Sequence, residues 1–289
     1  MTLIGCGQLT WQGVEPDQVM REIAEAGYDG APGRLNMDLP AAESIAWFGS
    51  FGLRVAPPYY SANFWDPADE DAILASAAPV ARYVRALGCR DLYVAANGGD
   101  YVVASGKTRR DLAGQVSSSD GMTGDEFDQF GKVVGEFARI TLAEGVASCF
   151  HNHVGTVIET AGELGQLLDA VHGDDLYLGL DTGHIAWAGD NATTVCDRYH
   201  DRIRTLHLKD VDDEVRCRGV AAGWTYSQFT RAGIFAELGE GIVDFPSIVN
   251  PLLADGFDGW LIVETDVTMK ATAFESARIS REYLTSIGL

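Results

Sequence analysis

The chain has 289 residues, 46% of them apolar, and carries 42 Asp and Glu against 21 Lys and Arg, a formal net charge of −21. Such a surface has no electrostatic reason to approach a phosphate backbone or an anionic membrane, so nucleic acid and membrane partners are disfavoured. The length suits one large core, read as a single domain over residues 1–289, and no run approaches the roughly 18 apolar residues that span a bilayer.

Strand-like apolar runs fall, in chain order, near Leu3 to Cys6, Tyr28 to Gly30, Leu53 to Pro57, Asp91 to Ala95, Val146 to Phe150, Leu176 to Leu180, Ile203 to Leu206 and Trp260 to Val263. Amphipathic stretches alternate with them: Pro16 to Ala26, Pro40 to Phe51, Pro67 to Leu87, Thr123 to Glu144, Thr160 to Val171, Ala192 to His200, Phe245 to Ala254 and Phe274 to Ile287. Thr123 with Glu126 and Thr160 with Glu163 read as capping boxes, and Gly27, Gly52, Gly88, Gly145 and Gly256 stand where helices should stop. Eight strand and helix pairs without a glycine-rich nucleotide turn predict an α/β fold, a (β/α)8 TIM barrel. Two long connections, Asn97 to Met122 after strand four and Val211 to Ile242 after strand seven, read as long loops on the face where the strands end. Both are lid candidates, the second with Trp224, Tyr226, Phe229 and Phe235 to cover a ligand.

Glu159, Asp181, His207 and Glu264 each sit at or just past a strand end, so a barrel would gather them at one mouth as a candidate divalent-metal site. Six histidines occur, and His151, His153, His184 and His207 all fall at predicted strand ends. His151 and His153 are two apart and point the same way in extended chain, as do His207 and Lys209. Asp181 and His184 are separated by Thr-Gly, which can turn both toward one ligand. Gly239-Glu240-Gly241 reads as a tight turn with Glu240 a candidate substrate contact. Trp11 and Trp187 read as core filling, and Arg34, Tyr59, Tyr60 and Asn97 are further candidate substrate contacts. The five cysteines form no C-x-x-C and read as reduced thiols of a cytosolic protein.

The segments H-N-H-V-G-T-V-I-E-T (151 to 160), L-D-T-G-H-I-A-W-A-G-D (180 to 190), H-L-K-D-V (207 to 211), L-G-E-G-I-V-D-F (238 to 245) and G-W-L-I-V-E (259 to 264) resemble the xylose isomerase-like TIM barrel superfamily. Within it the likeness is to the sugar phosphate isomerase/epimerase branch, and to the inosose dehydratase-like group in particular. The resemblance implies one divalent ion, Mn2+ first, with Co2+, Mg2+ or Zn2+ as alternatives, held by Glu159, Asp181, His207 and Glu264. Some relatives place the first acid directly on strand five, where this chain has His151 or His153, so His153 is the alternative to Glu159.

Such an ion polarises a ketone and its neighbouring hydroxyl, and a carboxylate or imidazole takes the α-proton. Glu159 or Glu264 would be the base, His151 or His153 would return the proton, and His184, Lys209 and Glu240 would bind substrate oxygens. The expected substrate is a small keto-sugar or keto-cyclitol, and the outcome is isomerisation, epimerisation or dehydration. Elimination on a 3-keto-glycoside and a catalytically idle sugar-binding or partner subunit are the alternatives, and a homo-oligomer is compatible with either. An endonuclease IV-like trinuclear zinc enzyme is disfavoured by charge and by too few histidines. The first half departs from many relatives, reading Gly27-Tyr-Asp-Gly-Ala-Pro-Gly-Arg34 where they place an acidic residue.

Overall fold

A computed structural model describes residues 2–171 and 174–289. Its strands are β1 (Leu3–Cys6), β2 (Gly30–Pro32), β3 (Arg54–Ala56), β4 (Tyr59–Ala62), β5 (Asp91–Ala96), β6 (Ala147–His151), β7 (Leu176–Asp181), β8 (Ile203–Leu208), β9 (Asp210–Val211), β10 (Phe235–Ala236) and β11 (Trp260–Val263). The main sheet runs β3-β2-β1-β11-β8-β7-β6-β5-β4 with parallel pairings, while β9 and β10 form a separate antiparallel pair. β3 and β4 are two halves of one barrel strand, the first bonded to β2 and the second to β5. Pro57 and Pro58 lie between them and have no N–H for the ladder. The Pro58 carbonyl still accepts from Tyr93 N at 3.0 Å. The nine segments therefore close a (β/α)8 barrel, and the prolines explain why only the first half of strand three reads as a strand.

The helices are α1 (Pro16–Glu25), α2 (Ala41–Ser50), α3 (Glu70–Ala86), α4 (Gly124–Ala143), α5 (Ala161–Ala170), α6 (Thr182–Trp187), α7 (Ala192–Arg198), α8 (Asp213–Ala222), α9 (Tyr226–Arg231), α10 (Phe245–Ala254) and α11 (Ala273–Ser286). Both capping boxes form, at Thr123 with Glu126 and at Thr160 with Glu163. The connection after β8 is not an extended loop. It folds into α8 and α9, with the Asp212 carboxylate capping α8 by accepting from Val215 N at 2.9 Å. Of α8 only Val215 and Gly219 are buried, so no apolar period announces this helix. Phe229 of α9 packs into the space left by Gly219, where a Cβ would overlap the ring.

Inside the barrel, Ala56, Tyr93 and Ile262 form a small inner core beside Trp260, separate from the larger layer between sheet and helices. The Tyr93 hydroxyl bonds Thr205 Oγ1, and its ring fills the space of Gly179, where a Cβ would lie 2.8 Å away. That ring is the floor of the mouth, 4.3 Å from the His207 ring centroid. At the opposite end Arg204 Nε donates to the buried Asp91 at 2.6 Å. Among the described residues no helix is long and apolar enough to cross a membrane.

Candidate active site

Strand register brings the first two side chains together: Asp181 and His207 are direct partners on β7 and β8. Glu264 follows β11, its N–H donating to Leu208 O at 3.1 Å, which sets its carboxylate beside them. His207 Nδ1 lies 3.1 Å from Glu264 Oε2 and 3.8 Å from Asp181 Oδ2. Gly7 makes this possible, because a Cβ there would stand 2.8 Å from Glu264 Oε1. His151 Nε2 and His184 Nε2 each lie 3.9 Å from the same Asp181 Oδ2.

The two oxygens of Asp181 have different tasks. Oδ1 accepts from His184 N at 2.8 Å and so caps α6. Oδ2 is buried with no hydrogen-bond partner among the described residues, as are His151 Nδ1, His184 Nδ1 and His207 Nε2. Buried polar atoms left unmatched are costly, and a cluster of them marks a place built for something else. Asn152 holds the cap in place, accepting from Asp181 N at 3.0 Å and donating to Asp181 O at 3.2 Å.

Lys209 reaches the centre through the space of Gly183, where a Cβ would meet its Cγ at 2.6 Å. Its ammonium lies 3.3 Å from Asp181 Oδ2, 3.2 Å from Glu264 Oε2 and 2.9 Å from Asp266 Oδ1. Burial works against the charge, but Asp181, Asp266 and Glu264 overcome it and hold the ammonium well above its ordinary value. Burial would raise Glu264, yet Lys209 and His207 outweigh it and keep that carboxylate well below the ordinary range. Asp181 and Asp266 are pushed up, by burial first. His151 and His184 are held well below the ordinary imidazole range and His153 is lowered to about 3, in each case chiefly by burial, so all three are neutral near pH 7. Three carboxylates thus face one ammonium with neutral imidazoles around them, an excess of negative charge that a divalent cation would balance.

Oxygen and imidazole donors of this kind suit Mn2+, Co2+, Mg2+ or Zn2+. Asp181, His207 and Glu264 offer ligand atoms within 4.8 Å of one another, as do His151, Asp181 and His184.

Glu159 stands apart from these groups. It is fully buried, with Oε1 accepting from Gly114 N at 2.8 Å and Oε2 from Gly155 N at 2.6 Å. Both oxygens are spent tying the connection after β5 to the loop after β6, so the geometry does not place Glu159 as the fourth ligand or as the base. Burial pushes this carboxyl up to about 7, against the pull of Arg109. Glu240 is also displaced from the role expected of it: it is exposed and paired with Lys270 Nζ at 2.7 Å. The Asp210 carboxylate holds that turn instead, accepting from Gly239 N and Gly241 N at 3.0 Å.

His153 comes to the centre, its ring 3.8 Å from that of His184 and its Nδ1–H donating to Val154 O at 2.7 Å. A carbonyl can only accept, so Nε2 is the free base of this ring. Asp266 was not anticipated; it lies two residues past Glu264, and that spacing in extended chain is the signal that could have found it. Arg34 and Tyr59 line a chamber of about 430 Å3 with His151, His153, His207 and Glu264. Tyr60 turns the other way, stacking on Phe137, and Trp11 and Trp187 are core residues.

The family model described as xylose isomerase-like TIM barrel matches residues 20–286. A rhizopine catabolism protein of Rhizobium meliloti is 29% identical over 252 residues, covering 86% of this chain and 74% of that protein. An inosose dehydratase of Geobacillus kaustophilus is 29% identical over 271 residues, covering 93% and 86%. Among solved structures, a probable 3-DHS dehydratase of Bacillus anthracis superposes with a TM-score of 0.71 at 15% identity, covering 98% of each chain. A 3-keto-D-glucoside 4-epimerase of E. coli superposes with a TM-score of 0.70 at 17% identity, covering 99% of this chain and 100% of that one.

Proposed function

This chain belongs to the xylose isomerase-like TIM barrel family, and on that premise we propose that it is a divalent-metal-dependent isomerase, epimerase or dehydratase that removes a proton α to the ketone of a keto-sugar or keto-cyclitol. The observation that carries the reading is the meeting of Asp181, His207 and Glu264 around an Asp181 oxygen that has no hydrogen-bond partner among the described residues. These three residues, with His151 beside them, would hold the ion. Bound there, a divalent cation supplies Lewis-acid polarisation of a substrate carbonyl.

The chain's own residues do the rest. His153 is neutral, with Nε2 free, and lines the chamber, so it is placed to take or return a proton. Lys209 keeps its charge and donates to Asp266 Oδ1 and to His184 Nε2 at 3.2 Å, which leaves Nδ1 as the N–H of that ring; in this reading a substrate oxygen would reach the ammonium by displacing one of these partners. Tyr59 and Tyr93 wall the chamber and limit water. A proton returned to carbon gives isomerisation or epimerisation, and one delivered to a departing oxygen gives elimination. The likeness to an inosose dehydratase favours loss of water from an inosose.

The test is turnover of inososes before and after chelation. The chelated protein should be inactive and regain activity on reloading with Mn2+, whereas turnover indifferent to chelation would remove the metal-dependent reading.

A further inference from the structure

We propose that Arg110 forms an anion-binding subsite beside the reaction chamber, so that a keto-sugar or keto-cyclitol bearing a carboxylate or phosphate group is bound in preference to its neutral parent. This deepens the function proposed above and rests on it for the keto-sugar or keto-cyclitol. Arg110 lines a cavity of about 680 Å3, and Tyr59 and His153 line both this cavity and the chamber containing His207 and Glu264. Tyr59 and His153 are thus a wall common to the Arg110 cavity and the chamber.

The Arg110 side chain is exposed, and its guanidinium rests over an aromatic ring. Its Cζ lies 4.6 Å from the centroid of the Tyr226 ring, and that ring stacks in turn on His153 with centroids 6.0 Å apart. Two glycines make room for the stem: a Cβ on Gly99 would meet Arg110 Nε at 2.7 Å, and one on Gly155 would meet Cγ at 3.4 Å. A cation over a ring spends none of its N–H groups on a carboxylate or carbonyl oxygen.

Among the described residues no carboxylate lies within the 4.0 Å ion-pair distance of Arg110, Asp100 of the same cavity included. Its chain neighbour Arg109 is the opposite case: buried, and committed to Thr156 O, Asp120 O and Glu163. In a chain with twice as many acidic as basic side chains, Arg110 is an exposed arginine beside the reaction chamber with no carboxylate partner among the described residues. Its planar fork matches a carboxylate or a phosphate in bidentate fashion, and Asn97 lines the same space, while the Thr108 and Thr156 hydroxyls there already donate to Asp111 Oδ2 and His153 O.

Calorimetric titration of the metal-free protein with inorganic phosphate and, separately, with malonate tests this. Wild type should bind at least one of them saturably and more weakly at high salt, and the stronger binder identifies phosphate or carboxylate as the group read. Arg110→Gln should weaken that binding about tenfold or more, with Arg110→Lys intermediate because it keeps the charge without the fork. No turnover is involved, so this result and the fate of the proton-abstraction reading are separable. Absence of binding for both anions, or equal binding by wild type and Arg110→Gln, would overturn the subsite.

Discussion

Lys209 Nζ stands 3.3 Å from Asp181 Oδ2 inside the barrel mouth, and both groups are buried. In the metal-free protein this ammonium is the one cation within ion-pair reach of Asp181, Glu264 and Asp266 among the described residues. Replacing it with methionine strips the compensation from three carboxylates. Lys209→Met should destabilise the metal-free protein by about 3–5 kcal/mol in denaturant unfolding, and a saturating divalent ion should restore more stability to the variant than it adds to wild type. Equal stability of variant and wild type would mean that the ammonium does not balance these charges.

Asp181 is the ligand whose loss should cost most, because its Oδ2 is the oxygen that His151, His184 and His207 all face. Asp181→Asn keeps the size and an oxygen for capping α6 but removes the charge. Divalent-ion affinity, measured by calorimetry, should fall about 100-fold or more while the helical circular dichroism is retained.

Glu159→Gln separates the two positions proposed for that residue. With both carboxylate oxygens committed to Gly114 N and Gly155 N, the variant should bind the metal as wild type does. A loss comparable to that of Asp181→Asn would restore Glu159 to the ligand set.

The same variant carries a pH signature. Burial raises the folded Glu159 carboxyl to about 7, above its ordinary value of 4.5. Between those two values the folded chain holds a proton that the unfolded chain has released, so this group's contribution is present below about 4.5 and lost as pH rises through about 7. Denaturant midpoints of the metal-free protein should show wild type losing ground to Glu159→Gln as pH increases across that window. A constant difference between the two would show that Glu159 titrates normally.

Much of the barrel is legible because its signals are local: apolar runs, capping boxes and glycine stops mark elements without reference to distant sequence. Asp181, His207 and Glu264 could be read for the same reason, since a strand end in a closed parallel sheet has only one place to go. Glu159 looked identical in sequence, a carboxylate just past a strand, and only its partners differ. Gly114 lies 45 residues earlier, in a connection whose path is set by Arg109 and Glu163. Glu240 failed for a similar reason, its Lys270 partner being 30 residues on. The second half of strand three was hidden by Pro57 and Pro58, which read as a breaker although they interrupt the ladder without ending the strand.

Proton exchange tests the central claim most directly. The metal-loaded protein, incubated in deuterated water with a panel of inososes and keto-sugars, should incorporate deuterium at the carbon next to the ketone of at least one member, with or without loss of water. No incorporation and no turnover with any member of the panel, by a protein shown to hold its metal, would contradict α-proton abstraction as what this site does.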